Sequence, residues 1–242
     1  MPHRFFVKPT AIKAPEVHLE GDTAHQLRTV LRLRVGDEII VLDNSGREWL
    51  VELARIDKNG VRGRIVEARQ AGAEPKLQIT LYQGTLKAAK FEWILQKGTE
   101  LGVSEFVPMI CQRSVVREET DLEKKRSRWE SIIREAAEQS GRGRLPRLGQ
   151  PVALAEAVDQ ARATEILLMP WEMAPEPSLK QALTALQPAR VALFIGPEGG
   201  FTAEEAQLAQ TAGAQLVTLG PRLLRAETAA LAAVTAIFYA LE

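Results

Sequence analysis

The sequence predicts an α/β protein: a mainly parallel sheet covered by helices on both faces, preceded by a small antiparallel β-barrel. Three observations carry this. From residue 77 onward, short apolar runs alternate with stretches of helical period, the pattern of a parallel sheet with crossover helices. Residues 1–70 instead hold short alternating runs separated by hairpin turns. Between them, Ala71-Gly72-Ala73-Glu74-Pro75 reads as a linker, which sets the expected domains at 1–71 and 75–242.

The elements follow in order. A short helix is expected at 23–31, capped by Asp22 or Thr23. A strand at 37–43 enters the turn Asn44-Ser45-Gly46 and returns at 48–53. Lys58-Asn59-Gly60 then turns the chain into a strand at 61–68, and strands this short and close favour a small barrel. Beyond the linker, a strand at 77–83 leads to a helix at 86–101 with apolar Phe91, Ile94, Leu95 and Leu101, stopped by Gly102. A strand at 106–110 precedes a long charged helix at 122–140. Strands at 165–169, 191–195 and 215–219 are then followed by helices at 178–186, 202–211 and 227–241. Ser178 with Gln181, and Thr202 with Glu205, stand at capping-box spacing.

Composition bounds the function. With 242 residues, 45% hydrophobic and 26% charged, the chain is long and apolar enough to bury a core, which excludes a disordered class. The single cysteine, Cys111, excludes an intrachain disulfide and a cysteine zinc site, and fits a reducing cytoplasm. The start lacks the apolar stretch of a signal peptide, and the longest apolar run, 226–241, is broken by Glu227 and Thr228 and too short for a bilayer. A soluble, cytoplasmic protein is expected. His3, His18 and His25 are scattered and point to no metal. Net charge is zero, yet residues 111–150 carry 10 basic against 7 acidic residues, and residues 151–242 carry 5 against 10. A local basic patch for nucleic acid fits this unevenness, as do ordinary solvated faces.

Ligands of open α/β sheets lie beyond the carboxyl ends of the strands, and three such ends stand out. The strand at 191–195 runs into Gly196-Pro197-Glu198-Gly199-Gly200, more glycine than a tight turn needs. It matches neither the G-x-G-x-x-G dinucleotide fingerprint nor a P-loop. The strand at 215–219 runs into Gly220-Pro221-Arg222-Leu223-Leu224-Arg225-Ala226-Glu227. Leu223 and Leu224 are apolar residues in a loop, suited to line a slot for a flat ring. Arg225 and Glu227 fit either a reacting site or a helix start with a dipole-favoured glutamate and its arginine partner. Pro170-Trp171-Glu172 offers a third wall.

These residues carry a resemblance. Gly196-Pro197-Glu198-Gly199-Gly200 with Leu219-Gly220-Pro221-Arg222-Leu223-Leu224-Arg225-Ala226-Glu227-Thr228-Ala229-Ala230-Leu231 resembles the knotted methyltransferases of the SPOUT class. More closely it resembles the ribosomal RNA small subunit methyltransferase E family, which methylates N3 of a uridine in 16S rRNA. Gln96-Lys97-Gly98-Thr99-Glu100-Leu101-Gly102-Val103 and Glu135-Ala136-Ala137-Glu138-Gln139-Ser140-Gly141-Arg142 agree with it, and the likeness spans nearly the whole chain.

The resemblance implies a trefoil knot in the C-terminal domain, a PUA-like N-terminal barrel, a homodimer and S-adenosylmethionine as the cofactor, with no metal. It implies cofactor contacts at Leu168, Met169, Gly196, Gly199, Gly200, Leu219, Gly220, Leu224, Thr228 and Ala229. It implies 16S rRNA, within the small ribosomal subunit, as partner. Arg225 is then expected to stabilise negative charge on the uracil, with Glu198 or Glu227 accepting a proton. Arg28, Arg32 and Arg34, and Arg142, Arg144 and Arg147, form two clusters expected on RNA phosphates. A knotted methyltransferase acting on another RNA, and a non-catalytic RNA-binding factor in ribosome assembly, are the alternatives.

Overall fold

The computed structural model describes residues 2–115, 119–174, 176–184 and 186–242. The chain divides into two units, Met1–Glu74 with Arg134–Leu145, and Pro75–Ile133 with Pro146–Glu242.

The first unit contains β1 (His3–Phe6), β2 (Ile12–Lys13), β3 (Glu16–Leu19), α1 (Gly21–His25), β4 (Glu38–Leu42), β5 (Arg47–Asp57) and β6 (Gly60–Gln70). Among the described residues its sheet runs β1-β4-β5-β6-β3-β2, parallel between β1 and β4 and antiparallel elsewhere. Alternation sorts the side chains: Ile39 and Val41 join Phe5, Leu27 and Leu53 in one cluster, while Ile40 and Leu42 join Phe6 in another. The first helix differs from expectation. It starts at Gly21 after Glu20, passes into a π turn at Gln26–Val30, and has no side-chain cap, so Asp22 and Thr23 lie inside its first turn. β1, β2 and β3 escaped the sequence reading because two to four residues show no measurable period.

Residues 134–145 also depart from the expected boundary, and Phe6 explains why. Its N–H donates to Glu138 Oε1 at 2.8 Å, its carbonyl accepts from Arg134 Nη1 at 3.0 Å, and its ring packs with Ala137.

One buried charge cluster ties β1 to the hairpin of β5 and β6. The Glu48 carboxylate, whose side chain is 6% exposed, accepts from Arg4 Nη2 at 2.5 Å and Arg69 Nε at 2.6 Å. Burial alone would raise its pKa, but the two guanidinium groups outweigh burial and hold it below the ordinary 4.5. A depressed carboxylate contributes stability above its unfolded-state pKa and loses it as pH falls through the folded value. Glu48→Gln is therefore expected to cost about 2–3 kcal/mol near pH 7, because it leaves Arg4 partly buried without its counter-charge. The gap from wild type should close below pH 4, as urea titrations at several pH values will read.

The second unit holds β7 (Gln78–Gly84), α2 (Ala88–Leu101), β8 (Glu105–Ile110), α3 (Glu119–Glu123), α4 (Arg126–Ser140, whose last turns belong to the first unit), β9 (Arg147–Leu148) and β10 (Val152–Ala153). It continues through α5 (Leu154–Ala161), β11 (Ile166–Pro170), α6 (Leu179–Ala182), β12 (Arg190–Ile195), α7 (Ala203–Thr211), β13 (Gln215–Val217) and α8 (Ala226–Leu241). Among the described residues the sheet runs β10-β8-β7-β12-β11-β13, with β9 beside β8, and every pairing is parallel.

Both faces are covered, as a parallel sheet requires. Val191, Leu193 and Ile195 of β12 face a core shared with α2 and α8, whereas Ala192 and Phe194 face one shared with α5 and α7. Both capping boxes form, at Ser178 with Gln181 and at Thr202 with Glu205. The helix expected at 178–186 is cut to Leu179–Ala182, and Ala185 lies outside the described residues. α5 was not anticipated: its buried Leu154, Ala157, Val158 and Ala161 form a helical stripe, but alanine marks that stripe weakly. No described helix is long and apolar enough to cross a membrane.

Candidate active site

The three strand ends singled out in the sequence belong to β12, β11 and β13, which are neighbours. Their loops surround one cavity of about 750 Å³, within the roughly 300–1,000 Å³ range of small-molecule sites. The loop after β12 contributes Gly196, Pro197, Glu198, Gly200 and Phe201. The loop after β11 contributes Trp171, Glu172 and Ala174. The segment from Thr218 to Ala226 closes the third side.

Each loop is held by its own chemistry. The glycine loop turns on a Gly200 N–H to Pro197 carbonyl bond of 3.0 Å and ends in the capped start of α7. The capping carboxylate of Glu205 also accepts from the Gln112 N–H at 2.7 Å, and Arg113 Nη1 donates to the Gly199 carbonyl at 2.9 Å. Trp171 is fastened at both ends, by its N–H to the Val217 carbonyl at 3.0 Å and by Nε1 to the Phe201 carbonyl at 3.4 Å. Thr218 Oγ1 accepts from the Gly220 N–H at 3.1 Å and fixes the last turn.

The glycines serve different purposes. A Cβ on Gly199 would lie 2.9 Å from Arg113 Cβ, so this glycine makes room for a protein neighbour, whereas Gly200 is called for by its φ of +67. Gly220 has φ +105 and nothing within 4 Å of its Cβ position, leaving open backbone on the cavity wall.

The structure gathers Gly196, Gly200, Leu219, Gly220, Leu224 and Ala229, with Glu198 and Arg225, around the cavity. It does not bring all expected residues there. Leu168 and Met169 are fully buried on opposite faces of the sheet, Gly199 faces Arg113, and Thr228 lies on an outer groove of α8. Glu227 lines that same groove and reaches the cavity rim through Lys90, at 3.6 Å. Arg225 sits at the N-cap of α8 with no side-chain capping bond. Among the basic clusters, Arg28, Arg32, Arg34 and Arg144 are exposed, but Arg142 is 3% exposed and packs its guanidinium on Glu74 at 3.2 Å. Its place is inside the first unit, where Glu74 also accepts from the N–H groups of Gly143 and Arg144.

Two residues at the site escaped the sequence reading. Lys90 of α2 lines the cavity. Gly84, the last residue of β7, lies against the glycine loop: a Cβ there would be 2.5 Å from Pro197 N and 2.7 Å from Gly196 C. Neither belongs to a local motif. Among the described residues no group of three His, Cys, Asp or Glu is placed to hold a metal ion.

A parallel sheet whose carboxyl edge carries such a cavity is the arrangement of an α/β enzyme that takes a small organic ligand. Comparison with known proteins specifies the class. The RNA methyltransferase domain family matches residues 73–238, and the RNA methyltransferase PUA domain family matches residues 19–66. The ribosomal RNA small subunit methyltransferase E of Bacillus subtilis is 34% identical over 248 residues, covering 99% of this chain and 97% of that protein. The protein of the same name from Synechocystis is 35% identical over 244 residues, covering 100% and 79%. A ribosomal RNA small subunit methyltransferase E from Neisseria gonorrhoeae, solved bound to S-adenosylmethionine, superposes with a TM-score of 0.88 at 31% identity over 100% and 98% of the two chains. A Legionella pneumophila protein solved with the same cofactor gives 0.90 at 32%, over 99% and 98%. The chain belongs to the RNA methyltransferases and, among them, to the ribosomal RNA small subunit methyltransferase E family.

The cavity fits the cofactor of those two structures. Ile195, Leu219, Leu224 and Ala229 offer apolar walls for a flat base, and the bare backbone at Gly220 lets a ligand approach without meeting a side chain.

Proposed function

We propose that this protein transfers the methyl group of S-adenosylmethionine to N3 of a uridine in 16S rRNA of the small ribosomal subunit. The observation that carries the reading is the convergence of three strand-end loops on one cavity with Arg225 on its rim, in a chain of this family.

In this reading Gly196, Gly200, Leu219, Gly220, Leu224 and Ala229 hold the cofactor at the cavity wall, with Leu168, Met169, Gly199 and Thr228 supporting those loops from behind. The bound cofactor supplies an electrophilic methyl carbon on a sulfonium. The protein then has to orient the uracil and manage charge. N3 lies between two carbonyls on the pairing edge, so the target base must be unpaired or flipped out. Once N3 gives up its proton, negative charge spreads to those carbonyl oxygens. Arg225 faces the cavity with no hydrogen bond or ion pair to another described side chain and is free to receive it. Glu198 lines the cavity and accepts the proton, with Glu227 behind it.

The C-terminal segment is read as a trefoil knot, a rarity among proteins. Membership of this family, whose resemblance implies the knot, supports it. The first unit is read as a PUA-like RNA-binding barrel, with Arg28, Arg32, Arg34 and Arg144 on phosphates and Arg142 bracing the loop that carries Arg144. Replacing Arg28, Arg32 and Arg34 together by alanine should lower the log–log salt slope of rRNA binding by about 2–3. An unchanged slope would remove these residues from the interface.

A homodimer is read through the exposed apolar groove of α8, where Trp93 and Tyr239 are 49% and 92% exposed beside Leu231, Ala232, Thr235 and Ala236. Tyr239→Glu should sediment as a monomer where wild type sediments as a dimer; a dimeric variant would place the interface elsewhere.

The reading is tested by offering labelled cofactor with either small ribosomal subunits lacking the modification or tRNA. Label is expected in 16S rRNA alone. Label in tRNA would assign another target, and tight rRNA binding without label would assign a non-catalytic role.

A further inference from the structure

One charged residue on the cavity rim comes from outside the three loops. Lys90 lies in the first turn of α2, and its Nζ stands 3.5 Å from Glu198 Oε1 and 3.6 Å from Glu227 Oε2. The Lys87 N–H, at the start of the same turn, points to the same Glu198 oxygen at 3.4 Å. Neither ammonium distance is that of a committed hydrogen bond. One cation is thus shared between two anions that sit on different segments of the chain. Glu227 Oε2 is buried and receives no hydrogen bond, which leaves Lys90 as its counter-charge among the described residues. A buried carboxylate without one is costly.

The two carboxylates are not equivalent. Glu198 lines the cavity, whereas Glu227 lines the outer groove. We propose that Lys90 is a positioning residue for methyl transfer: it couples Glu198 to Glu227 across two loops and holds the Glu198 carboxylate toward the cavity as the proton acceptor, with Glu227 as the counter-anion behind it. This rests on the uridine methyltransferase reading above. In the step concerned, the N3–H bond breaks, its proton passes to a Glu198 oxygen, and the electron pair stays on N3 for the incoming methyl. Glu198 then returns the proton to water. Among the described residues, the other charged groups lining the same cavity are Glu172 from the loop after β11 and Arg222 and Arg225 from the loop before α8. On α2 itself, Glu92 is occupied by Arg128 at 2.6 Å.

Lys90→Met removes the charge and keeps the stem, while Lys90→Arg keeps the charge. Lys90→Met should lower kcat by about 10- to 100-fold. It should leave KM for rRNA and the Kd for cofactor within roughly twofold of wild type. Lys90→Arg should restore most of kcat. Glu198→Gln should lower kcat more than Glu227→Gln does. In the free protein at pH 7, the Glu198 and Glu227 carboxyl carbons followed by NMR should both change chemical shift in Lys90→Met and keep their wild-type shifts in Lys90→Arg.

Unchanged carboxyl resonances, both Lys90 variants losing kcat and melting temperature alike, or a larger loss from Glu227→Gln would each overturn the assignment. The NMR readout needs neither RNA nor cofactor. Displaced carboxyl resonances in a protein that methylates no rRNA would uphold the coupling and sink the methyltransferase reading instead.

Discussion

Arg225→Ala is expected to lower kcat for rRNA methylation by about 10²–10³-fold, the typical loss when one preorganised donor to a developing anion is removed. Geometry makes the variant informative. Arg225 occupies the N-cap of α8 in an extended conformation, φ −65 and ψ 151, and its side chain makes no capping bond. Alanine therefore removes the guanidinium without removing a support of the helix. Cofactor binding by calorimetry and the melting temperature should stay at wild-type values while single-turnover methyl transfer falls. Lysine at the same position should recover part of the rate, since it returns the charge without the planar fork. Full turnover by Arg225→Ala would remove this residue from the chemistry.

Gly84→Ala tests the scaffold beneath the site. The added methyl would lie 2.5 Å from Pro197 N and 2.7 Å from Gly196 C, both backbone atoms that no rotamer change can move. The glycine loop must shift outward, and overpacking of this kind costs about 1–3 kcal/mol. Displacement of a binding loop by an ångström is enough to cost about 10²-fold in kcat/KM. Cofactor affinity should fall with it, in contrast to Arg225→Ala. Gly72→Ala supplies the control, because nothing lies within 4 Å of its Cβ position and stability and turnover should both be retained. Wild-type cofactor affinity in Gly84→Ala would mean that the loop is not part of the binding wall.

The pair of variants also marks how far the sequence could be read. Arg225 stood out because it sits in a loop too rich in glycine, proline and apolar residues to be a plain connection, but the loop alone left it open between a reacting group and a helix-start partner of Glu227. The same local grammar made Gly196, Glu198, Gly200 and Gly220 stand out, and β12, β11 and β13 bring those loops together as neighbours. Gly84 and Lys90 were not legible. Their importance comes from what β7 and α2 meet across the sheet, and no local pattern records a partner more than a hundred positions away.

Burial was the other quantity the sequence concealed. Arg142 sits in a basic loop and reads as an RNA contact, yet Glu74 draws it inside the first unit. Gly199 reads as ligand space, yet Arg113 fills it. Leu168 and Met169 stand at the end of the right strand, but alternation turns one to each face of the sheet. The parallel sheet itself was clear from apolar runs alternating with helical period. Short β1, β2 and β3 and alanine-rich α5 were lost because two to four residues, or weakly apolar ones, give periodicity nothing to measure.

The proposed reaction puts a single methyl on a single nitrogen, which reverse transcription detects. Small ribosomal subunits from cells lacking the modification are incubated with the protein and S-adenosylmethionine, and their 16S rRNA is then copied. A methyl on N3 blocks base pairing, so a new polymerase stop is expected at one uridine, absent without cofactor and slow to appear with Arg225→Ala. Methyl incorporated into the rRNA with no stop at any uridine would contradict it.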